Sequence, residues 1–305
     1  WRSEVRAAMA WRAAPIACVL LTMSCQAPPV ASTPVSRGVG PEMPPAGRYR
    51  EQLHWLPVGD RLIQARICRP ERPGPATLVV INHGSPANPA QRPGMSAGVC
   101  ASEAATWFLS RGYAVMLPLR RGYGASGGSW AEGFGACGDA NFAAAGRETA
   151  RDILAAIDYA ATLPDIRPDG VLVVGQSAGG WGALALAAQN PPSVAAVVNM
   201  AGGRGSWADG RANTNCRPDR LVSAAAEYGR TARVQTLWIY TANDSFFAPD
   251  LAARMHAAYA FGGAPGRLEA LGAWGRDGHA MFGGEGGTIV WGPVVERWLA
   301  ASPGG

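Results

Sequence analysis

Short apolar runs rich in β-branched residues alternate along this chain with longer stretches whose apolar positions return at helical spacing. Residues 51–58 and 61–68 read as two strands around the turn signal Gly59-Asp60. Beyond them, strands are predicted at 76–81, 113–119, 171–174, 194–200, 234–240 and 267–271. Helices are predicted at 102–111, 143–163, 181–188, 248–261 and 288–300. This order predicts an α/β protein with a doubly wound, mostly parallel sheet, opened by an antiparallel hairpin. In such sheets ligands bind beyond the C-terminal ends of the strands. Residues 201–231 break the pattern with Gly, Asn, Arg and Pro and contain one short helical run at 221–228. They are read as a small cap-like insertion.

One strand-to-helix junction carries chemistry. Val171-Leu172-Val173-Val174 runs directly into Gly175-Gln176-Ser177-Ala178-Gly179-Gly180, a G-x-S-x-G sequence followed by a helical run. In that context the serine sits in a strained turn with its hydroxyl presented, and the flanking glycines leave room for strand and helix to cross. With 40 glycines in the chain the motif alone carries little weight, and a second copy exists at Gly124-Ala125-Ser126-Gly127-Gly128. No helical run follows that copy, so it reads as a loop and Ser177 is the candidate nucleophile.

A serine hydroxyl needs a histidine base, itself oriented by a carboxylate. Of four histidines, His54 lies in the first hairpin and His256 inside a helix, whereas His279 follows the last strand on a glycine-rich loop. His279 is the expected base. Asp244, directly after the strand at 234–240, is the expected acid. Asp250 reads as a helix-start residue, Asp277 as a residue shaping the His279 loop, and Glu269 as part of a strand. The Ser85 and Ala178 amides are the expected oxyanion donors, since Pro86 has no N–H. His83, Tyr123, Gln176 and Trp207 are candidate pocket residues.

Together, His83-Gly84, Arg121-Gly122-Tyr123-Gly124, the motif at Ser177, Asn243-Asp244 with Pro249 downstream, and Asp277-Gly278-His279 resemble the α/β-hydrolase superfamily. The likeness is to its dienelactone hydrolase-like and prolyl oligopeptidase-type branch, over about residues 50 to 300. The resemblance implies a Ser177–His279–Asp244 triad. Dienelactone hydrolases carry Cys where this chain has Ser177, and prolyl oligopeptidases carry a propeller for which this chain has no counterpart.

Composition changes the picture at two points. The net charge of +5 comes entirely from Arg, scattered without runs beyond Arg120-Arg121, which argues against nucleic-acid binding. Residues 1–25 read as an export leader, with Arg2, Arg6 and Arg12 before a short apolar run and Cys25 in a lipoprotein-like box; residues 26–48 read as a flexible tether and 49–305 as the folded domain. Export to a bacterial periplasm or envelope is expected, with attachment through Cys25 left open. Of six cysteines, Cys68, Cys100, Cys137 and Cys216 would remain in an oxidising compartment, with pairing open and a buried free thiol considered for Cys68. Their spacing does not suggest a metal site, and no cofactor is expected. The sequence thus predicts an exported serine hydrolase for small esters, with a peptidase or amidase as the alternative and a non-catalytic envelope protein as a third reading.

Overall fold

The computed structural model describes residues 38–301; the leader and most of the tether lie outside them. Three antiparallel strands, β1 (Gly40–Pro41), β2 (Gln52–Val58) and β3 (Arg61–Cys68), form one side of a mixed sheet. The other strands, β4 (Leu78–Asn82), β5 (Ala114–Leu119), β6 (Val171–Gln176), β7 (Val194–Met200), β8 (Gln235–Thr241) and β9 (Gly266–Leu271), are parallel to one another, while β3 joins β5 antiparallel. The spatial order is β1-β2-β3-β5-β4-β6-β7-β8-β9.

Side chains of β6 divide strictly between the two faces. Val171 and Val173 join the core under α2 (Phe142–Ala160), α3 (Ala178–Ala187), α4 (Pro218–Thr231) and α5 (Pro249–Phe261). Leu172 and Val174 join the core under α1 (Glu103–Leu109) and α6 (Gly287–Ala301). Period-two alternation therefore yields apolar residues at every position, because both faces are covered. Each such Val or Leu, fully buried, contributes about 1.5–3 kcal/mol. The helix α3 is buried along its whole length, and its Trp181 indole donates to the Phe142 carbonyl at 2.8 Å.

Side-chain caps fix several helix starts: Ser102 accepts from the Ala105 amide at 3.3 Å and Asn141 from Ala144 at 2.9 Å. Pro218 and Pro249 open α4 and α5, where a missing N–H is harmless. The α2 helix ends three residues earlier than its periodicity suggests. Its last turn tightens, with the Thr162 and Leu163 amides bonding the Tyr159 and Ala160 carbonyls, because the residue before Pro164 is kept out of helical geometry.

Two expectations need correction. Part of the presumed tether is folded: Gly40 and Pro41 pair with β2, the Glu42 amide bonds the Leu53 carbonyl at 2.8 Å, and Gln52 donates to the Met43 carbonyl. Within 201–231, the helix is no cap. It is α4, the crossover that a parallel β7–β8 pair requires, packed against α5 and α2. Within this stretch the loop at 201–217 is what departs from the sheet-and-helix scaffold. Among the described residues no helix is long and apolar enough to cross a membrane.

Disulfides join Cys68 to Cys100 and Cys137 to Cys216, so Cys68 is not a free thiol. The second bond fastens the 201–217 loop to the segment ahead of α2, 79 residues away in sequence. Replacing Cys137 and Cys216 together by Ser should lower unfolding free energy by roughly 2–5 kcal/mol, read by urea denaturation under non-reducing conditions.

Candidate active site

The turn after β6 holds Ser177 at φ 54° and ψ −119°, a conformation that costs about 1–3 kcal/mol for a non-glycine residue. It persists because the surroundings over-determine it. The Ser177 amide bonds the Met200 carbonyl at 2.9 Å, and its carbonyl accepts from Trp181 at 3.0 Å and Gly203 at 3.2 Å. Helix and loop cross here at backbone contact. A Cβ on Gly179 would stand 2.4 Å from the Asn82 carbonyl oxygen and 2.6 Å from that of His83. Only glycine lets α3 start this close to the loop after β4.

The serine lines a cavity of about 180 Å³ together with Ala178, Ser85, Pro86, Gly203, Arg204 and Phe246; Arg92, Trp130 and Phe134 line it too. Ala178 is the first residue of α3, whose opening amides have no partner within the helix, so donors and the positive dipole end meet beside the Ser177 hydroxyl. Ser85 reaches the same cavity from the loop after β4.

Asp244 follows β8 and is buried. Its Oδ1 accepts from the Phe246 and Phe247 amides at 2.8 and 2.9 Å, which fixes the carboxylate. Both oxygens stand 3.1 Å from His279 Nδ1. A carboxylate can only accept, so this contact assigns the proton to Nδ1 and leaves Nε2 as the basic nitrogen. The ring of Phe246 stacks on the imidazole, with centroids 3.9 Å apart. Asp277 caps the turn that presents His279, accepting from the His279 amide at 3.0 Å and from the Ser245 hydroxyl at 2.6 Å. Burial pushes the Asp277 carboxyl up, but those hydrogen bonds outweigh it and leave it below its usual range.

The pocket candidates part company. Gln176 lies beside Ser177 but donates to the His279 carbonyl at 3.1 Å, tying the two loops together outside the cavity lining. Tyr123 is fully buried, edge-on to the His83 ring, and its hydroxyl accepts from the Trp130 indole at 3.0 Å. His83 donates from Nδ1 to the Gly84 carbonyl and accepts at Nε2 from the Arg120 amide. Burial, with the Arg120 charge adding to it, pushes its pKa down to about 3, so it stays neutral. Trp207 is partly exposed and only its neighbour Phe246 reaches the cavity. All four therefore stand behind or beside the cavity rather than in it: His83 and Tyr123 turn inward from the loops after β4 and β5, Gln176 reaches across to the His279 loop, and Trp207 turns outward.

The other residues weighed have local roles. His54 bonds Tyr159 and Gln52, and burial followed by Arg69 lowers its pKa to about 4. His256 packs edge-on against Trp238. Asp250 pairs with Arg254, Glu269 with Arg267, and the Ser126 hydroxyl bonds the Leu119 carbonyl and the Gln64 amide. Among the described residues no group of three or more His, Cys, Asp or Glu is gathered as a metal site.

A feature without a sequence motif lies beneath the cavity. Buried Glu132 holds Arg120 Nε at 2.6 Å and also pairs with Arg204, which in turn donates to Thr149 at 2.8 Å. Arg120 donates onward to the His83 carbonyl at 2.7 Å. Burial works to raise the Glu132 pKa, but Arg120 and Arg204 overcome it and hold the carboxyl well below the usual range. Nothing in local spacing distinguishes Arg92, Arg204 or Glu132 from the many other charged residues. Phe246, two residues after Asp244, was within reach of sequence reasoning but carries no motif.

A depressed folded pKa adds stability above the unfolded value, about 4.3, and that stability is lost as pH falls toward the folded one. Urea midpoints should therefore drop below about pH 4. Glu132→Gln should lower the midpoint at neutral pH by the equivalent of about 3–5 kcal/mol and flatten that acid dependence.

Residues 59–260 match the family profile of the X-Pro dipeptidyl-peptidase (S15 family). Comparison with curated protein sequences gives no significant match. Among solved structures the chain resembles Pyrococcus horikoshii acylaminoacyl peptidase at 14% identity and TM-score 0.61, covering 85% of this chain and 43% of that one. It thus spans less than half the length of that peptidase. A Pyrococcus furiosus esterase matches at 15% identity and TM-score 0.56, covering 83% of this chain and 93% of that one. A dienelactone hydrolase from Anabaena variabilis matches at 18% identity and TM-score 0.52, covering 84% and 99%. These likenesses establish an α/β-hydrolase fold.

Proposed function

The chain belongs to the X-Pro dipeptidyl-peptidase (S15) family, a family of α/β-fold hydrolases, and on that premise we propose that it is a serine hydrolase acting on small carboxylic esters. The observation that carries the reading is the shared cavity: Ser177 in its strained turn, the α3 amides beside it, and Phe246 stacked on an imidazole that Asp244 holds.

In this mechanism the Ser177 hydroxyl attacks the ester carbonyl while His279 Nε2 takes its proton. The Ala178 and Ser85 amides receive the charge that develops on the carbonyl oxygen. Asp244 stabilises the imidazolium formed. The tetrahedral adduct collapses, the alkoxy oxygen leaves with the proton from His279, and an acyl-serine remains. Water, deprotonated by His279, then releases the acid and restores the serine.

Family membership favours a peptidase or amidase as the second reading, since the same groups cleave amides. Export is part of the proposal, supported by two disulfides, which persist in oxidising compartments. Anchoring through Cys25 lies outside the described residues and stays a proposal that mass spectrometry of the mature N-terminus decides.

Fluorophosphonate should label Ser177 alone, and Ser177→Ala should lose about 10⁴-fold or more of ester hydrolysis. Asp244→Asn should keep the fold and lose on the order of 10⁴-fold, because the wrong imidazole tautomer is then favoured. Comparing kcat/KM for ethyl esters with that for X-Pro anilides separates the two substrate readings. Labelling at Ser126, or full activity of Ser177→Ala, would overturn the assignment.

A further inference from the structure

The cavity beside Ser177 is unbalanced in charge. Arg92 and Arg204 both line it, and none of its lining residues is acidic. The carboxylate that serves this wall, Glu132, is buried and already shared between Arg120 and Arg204, while buried Asp244 is taken up by His279 and the Phe246 and Phe247 amides. Three guanidinium groups thus face one carboxylate. Asp152 is likewise taken, by the side chain and amide of Arg121.

The donors on this wall are also under-used. Arg204 is 4% exposed, yet its buried Nε has no hydrogen-bond partner. The buried Nε of Arg92 has none either, and among the described residues Arg92 enters no ion pair. Its guanidinium carbon instead sits over the Trp130 ring, 3.4 Å from the centroid, with that of Arg204 5.9 Å from the same ring. Stacking holds an arginine in place while leaving its in-plane N–H groups free for a planar anion. Buried donors rarely go unpaired, and a half-enclosed wall of one sign concentrates ions of the other.

Resting on the hydrolase reading, the geometry points to substrates that carry a carboxylate near the scissile carbonyl, held by Arg92 and Arg204. A monoester of a short dicarboxylic acid has this form. A substrate with a free amine at the same position meets two cations and no unpaired acid, which sets this cavity against peptides recognised through their N-terminus.

The test compares three ethyl esters of similar length by pH-stat: monoethyl glutarate, ethyl pentanoate and ethyl 5-(trimethylammonio)pentanoate. The folded protein should prefer the anionic ester to the neutral one by about tenfold or more in kcat/KM, and the cationic ester should be the poorest. Added salt should narrow the gap. Arg92→Gln should bring the anionic-to-neutral ratio close to one, and Arg92→Lys should recover part of it. Arg204→Gln should do the same but disturbs Glu132, so Arg92, which no ion pair ties to the fold, is the decisive position. Equal rates for anionic and neutral esters in protein whose Ser177 takes the fluorophosphonate would overturn the anion site alone. A ratio unmoved by Arg92→Gln would overturn its assignment to this wall. Failure of Ser177 to be labelled would instead overturn the hydrolase reading.

Discussion

The backbone crossing at Gly179 is the constraint on which the site depends. The carbonyls of Asn82 and His83 occupy the space that any side chain there would need. That contact brings the loop after β4 against the start of α3, and so puts Ser85 and Ala178 on one cavity wall. It also explains how Ser177 is held at positive φ. The bonds to Met200, Trp181 and Gly203 come from two segments, α3 and the end of β7 with its loop, and relaxing the turn would break all of them at once. Strain in one residue is sustained by the parallel core below it.

Glu132 extends this organisation sideways. Arg120 follows β5 and Arg204 follows β7, and in the sheet these two strands flank β4 and β6. By binding both arginines, Glu132 braces the outer loops around the two inner ones that carry Ser85 and Ser177. An apolar cluster of the same volume could serve stability as well. It could not leave a cationic wall on the cavity side, nor hold the His83 carbonyl through Arg120.

The fold was legible because the inner parallel strands, β4 to β8, are buried on both faces almost throughout, the edge strand β9 excepted. Runs such as Val171 to Val174 therefore stand out without any need for alternation. The Asp244–His279 contact was legible for a related reason: the two residues lie on the loops that follow β8 and β9, on a frame that fixes where strand ends go. What failed to show was whatever depends on side-chain direction. Tyr123 and Trp207 are well placed along the chain, but one turns under His83 and the other turns outward beside Phe246. The α4 crossover was misread as a cap because its apolar face, Leu221, Ala224, Ala225 and Tyr228, is short and framed by Arg and Pro.

Arginine shows most clearly why the rest was hidden. Every cation in this chain is an arginine, so residue type carries no signal, and role follows from the partner alone. Arg121 is bound to Asp152 and Glu148 and serves the frame. Arg120 is bound to Glu132 and serves the loops. Arg204 shares that same carboxylate, and Arg92 has only the face of Trp130. These last two place positive charge on the cavity beside Ser177. A carboxylate brought there would find charge, oriented donors and an aromatic platform already assembled, so that little reorganisation opposes its binding.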